Sequence, residues 1–159
     1  AGRGYEVIAV TGKVESTDYL KSLGAAQVLL RADIDYGKRP LEAARFGGAI
    51  DNVGGETLTW LTRTVDNWGN IASIGLAGGA ELKTTVMPFI LRGVNILGIN
   101  SSATLRDLRL VVWNRIATDL KPRHLAAIAT RTIGFDELPG AFAAYLQGTV
   151  TGRTVVKIG

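Results

Sequence analysis

The sequence predicts an α/β fold built on a doubly wound parallel sheet, and three observations carry that expectation. Strand-like, β-branched runs alternate with stretches of helical periodicity along the whole chain, the order that parallel sheets with right-handed crossovers require. Glycines gather just beyond the strands, at Gly12, Gly54-Gly55, Gly75 and Gly78-Gly79. The first strand leaves through Thr11-Gly12-Lys13, and a helical pattern follows at once.

Composition sets the outer bounds. The chain has 159 residues, 47% apolar and 20% charged, which suits one globular domain with a real core. The apolar runs are strand-sized and broken by glycine or charge, so no membrane span is expected. Ala1-Gly2-Arg3-Gly4 leads straight into a strand and does not look like a secretory leader. The absence of cysteine excludes disulfides and fits a reducing, cytoplasmic setting; with a single histidine, no metal site is expected. The net charge of +4 is dispersed, with no basic run and no aromatic–basic interleaving. Nucleic acid is therefore not an expected partner, whereas an anionic small molecule such as a phosphorylated cofactor or a CoA ester is.

Taken in order, Val7 to Val10 reads as a strand, and Thr17 to Leu23 as a helix stopped by Gly24. Gln27 to Leu30 is a second strand, followed by a polar link (Arg31 to Lys38) and a short helix over Pro40 to Phe46, with proline in its first turn. A third strand runs to Val53 and ends on a glycine turn. The helix Glu56 to Val65 carries Leu58, Leu61 and Val65 at helical spacing. Asn67-Trp68-Gly69 turns the chain into a fourth strand, Asn70 to Gly75. After an excursion through Thr84 to Gly93 come a strand (Val94 to Ile99) and the longest helix, Thr104 to Leu120, with Leu105, Leu108, Val112 and Ile116 on one stripe. A strand (Ile128 to Ile133), a helix (Asp136 to Leu146) and a last strand (Thr154 to Ile158) close the chain.

The tip of the first strand carries the functional signal. In doubly wound nucleotide-binding sheets, an acidic residue at such a strand end accepts hydrogen bonds from the ribose 2′-hydroxyl of NAD, and a basic one accommodates the 2′-phosphate of NADP. Here Thr11, Gly12 and Lys13 offer a hydroxyl, a bare backbone and an ammonium, while Glu15 lies two residues beyond. The pattern suits a phosphate. Lys13 as an ordinary solvated charge is the competing reading, and the glycine clusters could be tight turns and no more. Three glycine turns on one sheet edge favour a cofactor cleft at that edge.

A complete dinucleotide-binding fold opens with strand, G-x-G-x-x-G and helix, and this chain contains no such run. In the usual strand order the absent strand lies between those at 7–10 and 49–53. The expected fold is thus a Rossmann-type sheet incomplete at its N-terminus, and the chain is expected to be a piece of a larger protein.

The stretches Ala9 to Lys13, Tyr19 to Ala25, Ala49 to Gly55, Gly75 to Gly79, Thr84 to Gly93 and Gly152 to Ile158 resemble the medium-chain dehydrogenase/reductase superfamily, in its zinc-free branch of quinone oxidoreductases and acrylyl-CoA reductases. The resemblance covers nearly the whole chain. It implies NADPH-dependent hydride transfer to an activated alkene or quinone-type acceptor, with an enoyl-CoA or quinone-like small molecule as substrate. By position it implies that Thr11, Gly12 and Lys13 hold the 2′-phosphate, where the family more often has arginine at the third place; lysine keeps the charge but lacks the bidentate fork. Asn52 and Val53 would lie under the ribose and pyrophosphate. Leu76, Ala77, Phe89, Ile90 and Leu91 would flank the nicotinamide, with Ile99 on its far side, and Tyr19 would pack along the adenosine end. Residues 1–120 would form a partial dinucleotide-binding domain, and residues 121–159 a strand–helix–strand returning to a catalytic domain outside this sequence. The strand Val94 to Ile99 would pair with its twin in a homodimer. No residue qualifies as a catalytic acid: Asp51 and Glu56 suit structural roles, and His124 a surface one. A free-standing nucleotide-binding or dimerisation module without catalysis is the alternative.

Overall fold

The computed structural model describes residues 1–159, which divide into two compact units. One comprises Ala1–Ile34 with Leu110–Gly159, the other Asp35–Arg109.

In the first unit, β1 (Ile8–Thr11) pairs in parallel with β2 (Gln27–Leu30), in the register Ile8 with Gln27 through Thr11 with Leu30. A 3-10 turn, Val14–Ser16, leads into α1 (Thr17–Ser22). Gly24, at φ +103°, ends that helix: its N–H donates to Lys21 O, and the next N–H, of Ala25, returns to Leu20 O. Later in the chain come α5 (Leu125–Ile128), β6 (Arg131–Gly134), α6 (Leu138–Leu146) and β7 (Thr154–Lys157), with β6 and β7 forming a second parallel pair. Ile133 and Ala141 are the fully buried apolar side chains of this unit.

The second unit is organised around one helix. Here β3 (Phe46–Asp51), β4 (Val65–Ser73) and β5 (Asn95–Gly98) form a parallel sheet in that order, with α2 (Gly55–Thr64) crossing from β3 to β4. Leu58, Trp60 and Leu61 of α2 are buried, together with Val65, Ile71 and Val94. Trp60 takes edge-on contacts from Phe46 (centroids 5.3 Å apart) and Tyr36 (6.0 Å), and the Arg45 guanidinium lies 5.9 Å from its ring centroid. The threonines of α2 are buried as well, and the hydroxyls of Thr62 and Thr64 donate back to the carbonyls of Thr59 and Trp60, which leaves no orphaned polar atom. A short helix, α3 (Met87–Arg92), closes on Gly93 at φ +61°, with the Val94 N–H returning to Pro88 O.

Every strand pair is parallel, as the alternating pattern predicts, but the strands form three separate sheets, not one.

Two local expectations are corrected, and one helix forms as expected but exposed. No helix forms over Pro40 to Phe46. Arg39 grips the Glu42 carboxylate through Nε (3.0 Å) and Nη2 (2.7 Å), and the N–H groups of Glu42 and Arg45 donate to Arg63 O and Thr64 O, so that segment spends its donors on the end of α2. The turn at Asn67-Trp68-Gly69 is a bulge inside β4: Val65 pairs with Phe46 and the ladder resumes at Asn70 opposite Gly48, with Trp68 at φ +61°. The longest helix, α4 (Arg106–Ala117), buries none of its residues. Its apolar stripe stays exposed, from Leu108 at 56% to Ile116 at 38%.

Candidate functional site

In the first unit, the turn after β1 is built by its own side chains. The hydroxyl of Thr11 accepts the N–H of Lys13 at 3.1 Å, bending the backbone over Gly12. The Lys13 ammonium reaches the carbonyl of Val150, 2.6 Å away, and the buried Ser16 hydroxyl sits 3.5 Å from Thr151 Oγ1. The segment before β7 therefore braces this turn from outside. Lys13 is half-buried and pairs with no carboxylate, and Glu15 points into solvent. One of the three donors of the ammonium is spent on a neutral carbonyl, so its full positive charge remains at the tip.

A second cation, not expected from the sequence, stands beside this turn. Arg31 is the first residue after β2, and because Thr11 pairs with Leu30, it lies alongside Gly12. The signal was present: two adjacent parallel strands, each given its end, fix which residues follow them side by side.

In the second unit, the carboxyl ends of β3 and β4 are joined by their glycine turns. Asp51, buried, accepts the N–H groups of Val53 (3.2 Å) and Gly54 (2.9 Å). The Ile74 N–H donates to Asp51 O, the Ala77 N–H to Asn52 O and the Gly78 N–H to Val53 O. Gly54, at φ +69°, lies against the Gly79 carbonyl, and a methyl group on Gly75 would stand 2.8 Å from Asn52 O. These glycines let two backbone turns dock on each other, which is why no larger residue fits. The amides of Val53, Gly54, Ala77 and Gly78 are already engaged. Of the candidates on this edge, Asn52 and Val53 are thus brought together with Leu76 and Ala77. Asn52 is exposed and its side-chain amide is unengaged. Ile99, whose N–H donates to Ser73 O, extends the same edge from β5. Leu76, Ile90, Leu91 and Ile99 are all exposed, Phe89 is half-buried, and Phe89 to Leu91 lie on α3.

Nothing here suits a metal ion: the sequence has no cysteine, its one histidine, His124, is exposed, and no group of His, Asp or Glu side chains is clustered to bind one.

Parallel strands, helical crossovers and a glycine-rich carboxyl edge define a Rossmann-type α/β nucleotide-binding architecture. A family model described as zinc-binding dehydrogenase matches residues 1–118, and the chain belongs to that family, within the medium-chain dehydrogenase/reductase superfamily. Acrylyl-CoA reductase AcuI of Ruegeria pomeroyi is 47% identical over 156 residues, covering 98% of this chain and 47% of that protein. The crystal structure of Bacillus subtilis YhfP with NAD bound superposes with a TM-score of 0.93 at 44% identity, over 98% of this chain and 48% of that one. That of Escherichia coli K-12 YhdH with bound NADPH gives 0.90 at 41% identity, with the same coverage. The chain spans about half the length of the curated relatives it matches. The donor set zinc would need is missing from these residues.

Proposed function

We propose that this chain is the NADPH-binding part of an oxidoreductase that delivers hydride to an activated alkene or quinone-type acceptor. The observation that carries the reading is the acid-free tip of β1, where a half-buried ammonium stands beside a hydroxyl and a glycine. Relatives at 41–47% identity support it: one is named an acrylyl-CoA reductase, and another was crystallised with NADPH.

In the first unit, Lys13 contributes charge and Thr11 a hydroxyl to the 2′-phosphate, with Gly12 giving it room. Val150 O holds the ammonium in place, so little side-chain entropy is left to lose on binding. In the second unit, we assign Asn52 and Val53 to the ribose and pyrophosphate. Asn52 would use its free amide, since the backbone of Val53 is committed within the turn. Leu76, Ala77, Phe89, Ile90, Leu91 and Ile99 are assigned to the nicotinamide as an apolar wall that excludes water from it. The bound dinucleotide supplies the hydride, and these residues orient it.

We further assign residues 1–120 to the dinucleotide-binding domain and 121–159 to a strand–helix–strand that completes a catalytic domain. The edge strand β5 is the candidate for pairing with a second copy, and the cytoplasm the candidate compartment for a chain without cysteine. No helix is long and apolar enough to cross a membrane. Calorimetric titration of the chain with NADPH and NADH tests the reading. Tighter binding of NADPH is expected, and binding of neither would remove it.

A further inference from the structure

We infer that Arg31 is the second cation of the 2′-phosphate seat, its guanidinium supplying the two-pronged donor that a lysine at position 13 cannot. This rests on the proposed function and adds a specificity-determining residue to the same seat.

The argument begins with Gly12. Its φ lies outside the left-handed region, so the backbone there would accept any residue. The space would not: a methyl group on Gly12 would stand 2.6 Å from Arg31 Nη2 and 3.4 Å from both Cζ and Nε. The guanidinium thus reaches, Nη2 foremost, into the space beside the one residue of the turn that has no side chain. The ladder sets this placement, because Thr11 opposite Leu30 makes Gly12 and Arg31 the next residues along two neighbouring strands.

The guanidinium is also unengaged. Arg31 is half-buried, yet it donates no side-chain hydrogen bond and pairs with no carboxylate, the nearby Asp33 included. Arg39, Arg92 and Arg115, by contrast, spend their donors on carboxylates or carbonyls. Two cations without a counter-anion at the ends of adjacent strands repel each other, and a dianion between them relieves that repulsion. A phosphomonoester offers three terminal oxygens: two suit a planar fork, and the third an ammonium or the Thr11 hydroxyl.

The test uses the chain with 2′,5′-ADP and 5′-AMP, which differ only in the 2′-phosphate. Arg31→Gln is expected to weaken 2′,5′-ADP by about ten- to a hundredfold while 5′-AMP stays within about twofold. Arg31→Lys, which keeps the charge and loses the fork, should recover only part of that loss. Gly12→Ala pushes the flexible guanidinium aside, so it should lower the 2′,5′-ADP preference and add little to Arg31→Gln in the double variant. If Arg31→Gln does not fold, as a melting curve without ligand would reveal, Arg31→Lys and Gly12→Ala decide the matter by the same ratio. A preference left intact by Arg31 substitution but lost in Lys13→Ala overturns the role of Arg31 and leaves the function standing. Equal affinity of the unaltered chain for the two nucleotides overturns both.

Discussion

The two units hold the turns at their strand ends in different ways. In residues 35–109 a buried helix, with Trp60 at its centre, is clamped between aromatic rings and the sheet, and the glycine turns dock backbone to backbone. In the unit of residues 1–34 and 110–159, Ile133 and Ala141 alone are fully buried among apolar side chains, and the β1 turn is held by a hydroxyl, an ammonium and one carbonyl. The lesson is a difference of means: packing of rings and backbone shapes the turns in one unit, and a few polar contacts shape the turn in the other.

Substitutions in the packed unit should have the largest effect. Trp60→Ala removes the ring that Tyr36, Phe46 and Arg45 surround, and should destabilise that unit by about 3–5 kcal/mol in urea unfolding. A loss under about 1 kcal/mol would mean that Trp60 is not the centre of this core. Asp51→Ala strips two N–H groups of their acceptor at the head of the docked turns, and should cost about 1–3 kcal/mol by the same measurement. An unchanged midpoint would show that the glycine contacts alone hold the turns. Hydrogen exchange sharpens the contrast without mutation: the amides of α2 and β4 should exchange more slowly than those of α1 and β1. Equal protection would erase the distinction. The smallest effect is at Glu42, whose carboxyl is held below the usual carboxylate range by hydrogen bonds from the Arg39 side chain and backbone. A carboxyl depressed in the folded state adds stability above its ordinary pKa and loses it as the pH falls. Glu42→Gln should therefore slightly flatten the acid limb of a stability–pH curve; an unaltered acid limb would leave the pair without effect.

The contrast also explains what the sequence disclosed. Strands such as Gln27–Leu30 and the helix at 55–64 follow from local periodicity, and the structure has them within a residue or two. The parallel pairing was legible too, because strands alternating with helices require it. The helix expected at 40–46 failed because its donors go to Arg63 and Thr64, partners no local pattern reveals. The glycine clusters were ambiguous for a similar reason: approach to a phosphate and docking of one turn on another call for the same residue, and only coordinates separate them. Arg31 is not legible in the sequence, because it stands at the head of a polar link and meets Gly12 through the β1–β2 register alone.

The central claim is that a positive, acid-free tip on β1 selects the phosphorylated dinucleotide. Its most direct measurement is the ratio of NADPH to NADH dissociation constants for the unaltered chain and for Lys13→Ala. The account predicts a preference for NADPH that falls by about tenfold in the variant while NADH binding changes little. A variant that weakens both nucleotides equally, or an unaltered chain that does not distinguish them, would contradict it.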